Sequence, residues 1–152
     1  MGTSRLRGVT LVVALWSVGF LVGTATHAID LALGGINVYA GFSPPVRMFW
    51  VSLTVLDPLV VALLWRQLRA GIVLAVVIVV CDVGVNTVVF VAHGGLSPFG
   101  LVVQVTFGVL VVATAPWLWG RISTLRANPI APETIVSGQQ AGDRDPHQYS
   151  PR

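Results

Sequence analysis

The sequence predicts an all-α integral membrane protein: a four-helix antiparallel bundle with short loops and a disordered C-terminal tail. Of its 152 residues only 10% are charged and 55% are apolar, with a mean hydropathy of +0.83. A soluble domain carries roughly a quarter charged residues to face water, so lipid must cover much of this exterior. Four apolar runs come close to or exceed the ~20 residues that a helix needs to cross the hydrocarbon core. Arginines stand between these runs and not inside them.

The runs place the spans at 9–33, 48–65, 70–92 and 99–119, inside a transmembrane domain at 9–121. Strands are excluded despite the many valines. The runs are continuous and too long, and an open sheet leaves backbone groups unpaired in lipid. Residues 34–47, with Gly34, Gly35, Gly41, Pro44 and Pro45, read as an ordered or half-ordered loop. Residues 66–69 and 93–98 read as tight turns. Short connections make successive helices antiparallel neighbours.

Orientation follows the arginines. Arg5 and Arg7 precede span one, Arg66 and Arg69 separate spans two and three, Arg121 and Arg126 follow span four, and Arg47 alone falls on the other side. This positive-inside bias puts residues 1–8 and the tail 122–152 in the cytoplasm of a plasma (inner) membrane. Trp50, Trp65, Trp117 and Trp119 near the span ends read as interfacial anchors. From Asn128 onward Pro, Ser, Gly, Gln and Asp dominate without apolar periodicity, the composition of a disordered segment. Arg5, Arg7 and Thr26-His27-Ala28 also follow the order of a signal peptide. The run is longer than a usual h-region and the cleavage site is poor, so an uncleaved first span is expected; cleavage would leave three spans.

The net charge of +3 and pI near 10 do not point to nucleic acid, because all nine basic residues are arginines, seven of them flanking apolar runs and none forming a basic stripe. The expected partner is the lipid bilayer, including anionic head groups. The single cysteine, Cys81, excludes an internal disulfide and reads as a mid-span packing residue. No phosphate loop, dinucleotide fingerprint, HExxH, CxxC or GxSxG occurs, and no nucleophile stands beside a base. No cofactor or metal is expected, and an enzyme is the less favoured class.

Three of the six acidic residues, Asp30, Asp57 and Asp82, lie within or at the edge of spans. A carboxylate at the bilayer centre costs about 2.5–3.5 kcal/mol on insertion scales, and no basic residue lies within a span to offset it. At about 100° per residue, Gly19, Gly23, His27 and Asp30 share a face of span one. Trp50, Thr54 and Asp57 share one in span two, Asp82 and Asn86 in span three, Gly100, Gln104 and Gly108 in span four. The four stripes should turn to one interior. Their depth grades from the outer surface to the middle, which predicts a polar cavity open outward and closed below. Its expected lining is Asp57, Asp82, Asn86, His27, Asp30, Gln104 and Thr54.

Each residue also has a plainer reading. Asp57 before Pro58 suits a local kink, with the carboxylate partly capping a restarted helix. Asp82 and Asn86 suit an interhelical hydrogen bond, and His27 with Asp30 an interfacial pair. Gly19 and Gly23 form a GxxxG, a possible homo-oligomer contact, although its polar face favours use within the bundle.

The stretches Thr26-His27-Ala28-Ile29-Asp30, Leu56-Asp57-Pro58-Leu59 and Cys81-Asp82-Val83-Gly84-Val85-Asn86 resemble EXPERA-type membrane proteins, the emopamil-binding sterol isomerases and sigma-2-receptor-like proteins. The resemblance covers residues 9–121 in order and character. It implies a bundle whose inward acids surround a pocket for an amine or sterol. No catalytic role carries over. The isomerases place a glutamate in the span before the proline, where Phe49 to Leu56 holds no acid, and their His-to-acid spacing is one residue longer than that of His27 and Asp30.

The favoured expectation is a small polytopic protein whose outward cavity binds a small, lipid-like or amine ligand. Its rivals are an EXPERA-like isomerase using a protonated Asp, a proton-coupled transport subunit working through Asp82, and a structural membrane partner.

Overall fold

The computed structural model describes residues 2–94 and 97–127. It is all-α, with α1 (Gly2–Gly34), a 3-10 turn (Gly35–Asn37), α2 (Pro44–Trp65), α3 (Arg69–His93) and α4 (Pro98–Ala127). Each of the four helices is long and apolar enough to cross a membrane, which fits a multi-pass membrane protein built as a four-helix bundle. The helices outrun the apolar segments that predict them: α1 begins at Gly2, and α4 continues past Trp119 to Ala127. Bilayer thickness limits the apolar run, and nothing in that limit stops the backbone from staying helical beyond it. The tail from Asn128, with His147, lies outside the described residues.

α2 starts earlier than its apolar run because Pro44 and Pro45 suit the first helical turn, where no intrahelical N–H is needed. Ser43 is extended just before them and its carbonyl accepts from the Arg47 N–H at 3.1 Å. The expected restart at Pro58 does not occur. α2 runs unbroken through Pro58, which only deprives the Thr54 carbonyl of its usual donor. Asp57 therefore has no new helix end to cap.

The α2–α3 turn is a Schellman motif. The Leu68 N–H bonds the Leu63 carbonyl (3.0 Å) and the Gln67 N–H bonds that of Leu64 (2.8 Å), with Gln67 at φ 53°. α3 then leaves so close to α2 that a Cβ on Gly71 would lie 2.9 Å from the Leu64 backbone nitrogen. α3 ends on Gly94 in the left-handed region, at φ 66°.

Successive helices pack closely against each other and α1 packs less against α4; Gly8 faces Trp117 and Trp16 meets Thr114 toward the end that carries the α2–α3 turn. At this turn end Trp16, Val60, Leu64, Leu118 and Ile122 are fully buried. Trp16 Nε1 donates to Thr114 Oγ1 (3.1 Å), and Trp65 Nε1 to Ser17 Oγ (3.0 Å). Arg69 lies over the Trp119 ring at 4.9 Å and bonds Ser123, while Arg121 lies over Trp117 at 5.5 Å. At the opposite, loop end Tyr39 and Phe42 pack on Trp50 with centroids 4.9 and 4.8 Å away, and Phe42 touches His93.

Leu11, Leu33, Met48, Val91 and Phe99 are each at least 70% exposed. So much apolar surface suits lipid as the surrounding medium. Two sequence expectations need correction. Cys81 is exposed on this outer face and packs no core. Trp50 is only 4% exposed and belongs to the interior, because its indole N–H finds a partner there.

Two substitutions test the α2–α3 turn. Gly71→Ala forces a methyl group against backbone and should lower stability by about 1–3 kcal/mol. Gln67→Gly relieves a left-handed residue and should raise it by up to about 1 kcal/mol. Unfolding of the purified protein in mixed detergent micelles reads both.

Candidate functional site

In the loop half of the bundle the helices line a partly open cavity of about 770 Å³. His27 and Asp30 from α1, Asp57 from α2, Asp82 and Asn86 from α3, and Gln104 from α4 all line it. Six of the seven residues expected to share a site are thus brought together. The exception is Thr54, whose hydroxyl donates to the Val51 carbonyl of its own helix at 2.7 Å and is not part of the wall. A threonine can satisfy itself in this way wherever it stands on a helix. Among the described residues no arginine lines the cavity.

The polar residues fall into two bonded groups. In the first, Trp50 Nε1 donates to Asn86 Oδ1 (2.9 Å). Asn86 Nδ2 donates to Asp82 Oδ1 (3.0 Å) and to Gln104 Oε1 (2.9 Å), and Gln104 Nε2 donates to Asp82 Oδ2. Both oxygens of Asp82 are therefore taken, and one ring of contacts ties α2, α3 and α4 together. In the second group the Tyr39 hydroxyl donates to Asp30 Oδ2 (2.9 Å) and lies 3.2 Å from His27 Nδ1. Since the single phenolic proton goes to Asp30, Nδ1 is the donor in its contact with Tyr39. Burial and the Asp30 carboxylate hold the Tyr39 phenol above its ordinary range, so it stays a donor.

Asp57 belongs to neither group. It is 4% exposed, and its Oδ1 is buried with no hydrogen-bond partner. Its other oxygen faces Gly23 so closely that a Cβ there would lie 2.6 Å from Oδ2. Gly19 fits against the Phe107 ring, which meets Phe20 edge-to-face at 5.4 Å. The two glycines of the GxxxG are thus occupied inside the bundle. His93, at the end of α3, contacts Phe42 and does not line the cavity. Among the described residues no cluster of three His, Cys, Asp or Glu side chains is arranged to hold a metal ion.

Sequence reasoning missed Val38, Tyr39 and Phe42, which reach the cavity from the α1–α2 connection, whereas Trp50 lines it as its place on the span-two stripe predicts. A signal was present. Two aromatic residues within a Gly- and Pro-rich loop of a chain only 9% aromatic are more than a linker needs.

The arrangement offers one hydrogen-bond-hungry carboxylate at a wall that is otherwise largely apolar. No family model matches this chain, and no curated protein or solved structure matches it either.

The bonded ring should be structural. Asn86→Leu removes three hydrogen bonds and leaves Asp82 and Gln104 short of partners, which typically costs about 1–3 kcal/mol. Asp82→Asn should be milder, because an amide can retain part of the ring. Thermal unfolding of the two variants in one detergent gives the order; a milder effect for Asn86→Leu contradicts the assignment.

Proposed function

We propose that this protein is a four-helix, antiparallel membrane protein whose outward-facing polar cavity binds a small or lipid-like molecule through Asp57. The chain would lie in the plasma membrane, with the arginine-rich turn end and both termini on the cytoplasmic side, as the positive-inside bias argues. The observation that carries the binding role is the unpartnered, buried oxygen of Asp57 on the cavity wall. Asp82 receives two hydrogen bonds. At about 0.6–1.7 kcal/mol each, these offset much of the roughly 2.5–3.5 kcal/mol insertion cost. Asp57 has no such offset, and a ligand that donates a hydrogen bond supplies it. A cavity of about 770 Å³ is within the usual range for small-molecule sites.

The amine or sterol pocket implied by the EXPERA resemblance is compatible with this reading, and a homo-oligomer is not required by it. Proton exchange at Asp82 is less favoured, because both of its oxygens are engaged. An isomerase would need a free acid against the substrate, and Asp57 is the only candidate of the three.

A thermal-shift screen of lipids and amphiphilic amines on detergent-purified protein tests the proposal. At least one amphiphile should raise the melting temperature, and Asp57→Asn should weaken its binding about 10- to 100-fold, the worth of a charge-assisted hydrogen bond. Asp57→Asn should itself remain folded. A screen without hits, or equal binding by the variant, overturns it.

A further inference from the structure

The cavity does not close on the side between α1 and α4. At the turn end these two helices are knit by Trp16–Thr114, and Val9, Val13, Val111 and Leu118 are buried. Beyond Phe20 and Phe107 this ends. No residue of α1 from Leu21 to Gly34 with a described side chain is buried, and none of α4 from Pro98 to Phe107. Val22, Thr26, Phe99 and Val103 line the cavity and are also exposed on the outside of the bundle. Val22 is 60% exposed and Val103 51%. The cavity thus breaks through the wall along the α1–α4 seam, at the level where the flanking surface is Val, Leu and Phe. Over α2 and α3, by contrast, Tyr39 and Phe42 roof it, packed on Trp50 and held to α1 through Tyr39–Asp30.

Resting on the binding role given to Asp57, we infer that this seam is a lipid-side doorway. Its occupant is a single-chain aliphatic amine whose ammonium sits at Asp57 and whose tail leaves between α1 and α4. The head group follows from the partner it meets. Asp57 offers a carboxylate oxygen without a donor, and among the described residues no arginine lines the wall to compete for it. A primary ammonium brings three N–H donors; a quaternary one brings charge but none. The single chain follows from the seam: a tail that lies between two helix faces bearing Val22 and Val103 remains in apolar surroundings along its length.

Dodecylamine is a suitable probe, with an analogue that carries a photoreactive diazirine at the tail end. Full-length protein in phosphatidylcholine vesicles is irradiated with the analogue, and labelled residues are mapped by mass spectrometry. Label should concentrate on Val22, Thr26, Phe99 and Val103. Unlabelled dodecylamine should suppress it at least 10-fold more effectively than dodecyltrimethylammonium or dodecanol, and Asp57→Asn should abolish the suppressible fraction. Label on Tyr39 or Phe42 in place of the seam overturns the doorway while leaving the binding role of Asp57 intact. Equal suppression by dodecanol or by the quaternary amine overturns the assignment to a primary amine. Absence of any suppressible label, with dodecylamine also giving no thermal shift, removes the binding role and this inference with it.

Discussion

Polar side chains surrounded by apolar helix must find partners inside the bundle, because the outer surface offers none. Asp82 answers this constraint most completely. Asn86 reaches it from one turn along α3, Gln104 from α4, and Trp50 closes the group from α2. The result fixes the rotation of three helices about their axes, since turning any one of them by a fraction of a turn would strand an amide or a carboxylate. Interior packing alone would specify that rotation less sharply, given how much Val and Leu stands on every face.

A second, apolar device divides the bundle in two along its length. Phe107 sits in the space left by Gly19 and meets Phe20 edge-to-face. On the turn side of this contact the tryptophans find hydroxyl partners and the large side chains are fully buried. On the loop side α1 and α4 part, and the space between them is the cavity. Gly19 and Gly23 therefore serve different ends four residues apart. One admits an aromatic ring that seals the floor, the other admits a carboxylate just above it.

The fold class and the convergence of the polar stripes are legible in the sequence, because helical periodicity fixes which residues share a face. His27 with Asp30, Asp82 with Asn86, and Gln104 turn to one cavity as that periodicity requires. What periodicity does not carry is the supply of partners from elsewhere in the chain. Thr54 shares the face of Asp57 but bonds its own backbone. Trp50 shares the inward stripe of α2, but its place near a span end also suits an interfacial anchor, and the partner that decides between the two, Asn86, stands on another helix. Tyr39 lies in a connection to which no periodicity applies, and it orders both His27 and Asp30. Pro58 reads as a break, but a single missing backbone bond is not enough to end a helix held by neighbours on both sides.

The same reasoning separates three acids that look alike in the sequence. Asp30 is held by a phenol that keeps its proton, and Asp82 by two amides; both are committed to holding the structure. Asp57 stands as deep as either, on a helix that could have carried an apolar residue at that position at less cost. Its neighbour across the helix contact is Gly23, the one residue type that leaves the carboxylate in place without bonding it. A side chain that makes no hydrogen bond within the described residues, and for which a glycine makes space, is the ground on which the proposed binding role rests. Asp57 differs from the other two on partners alone, and under the proposed function the α1–α4 seam beside it would be the route for a lipid-dissolved partner.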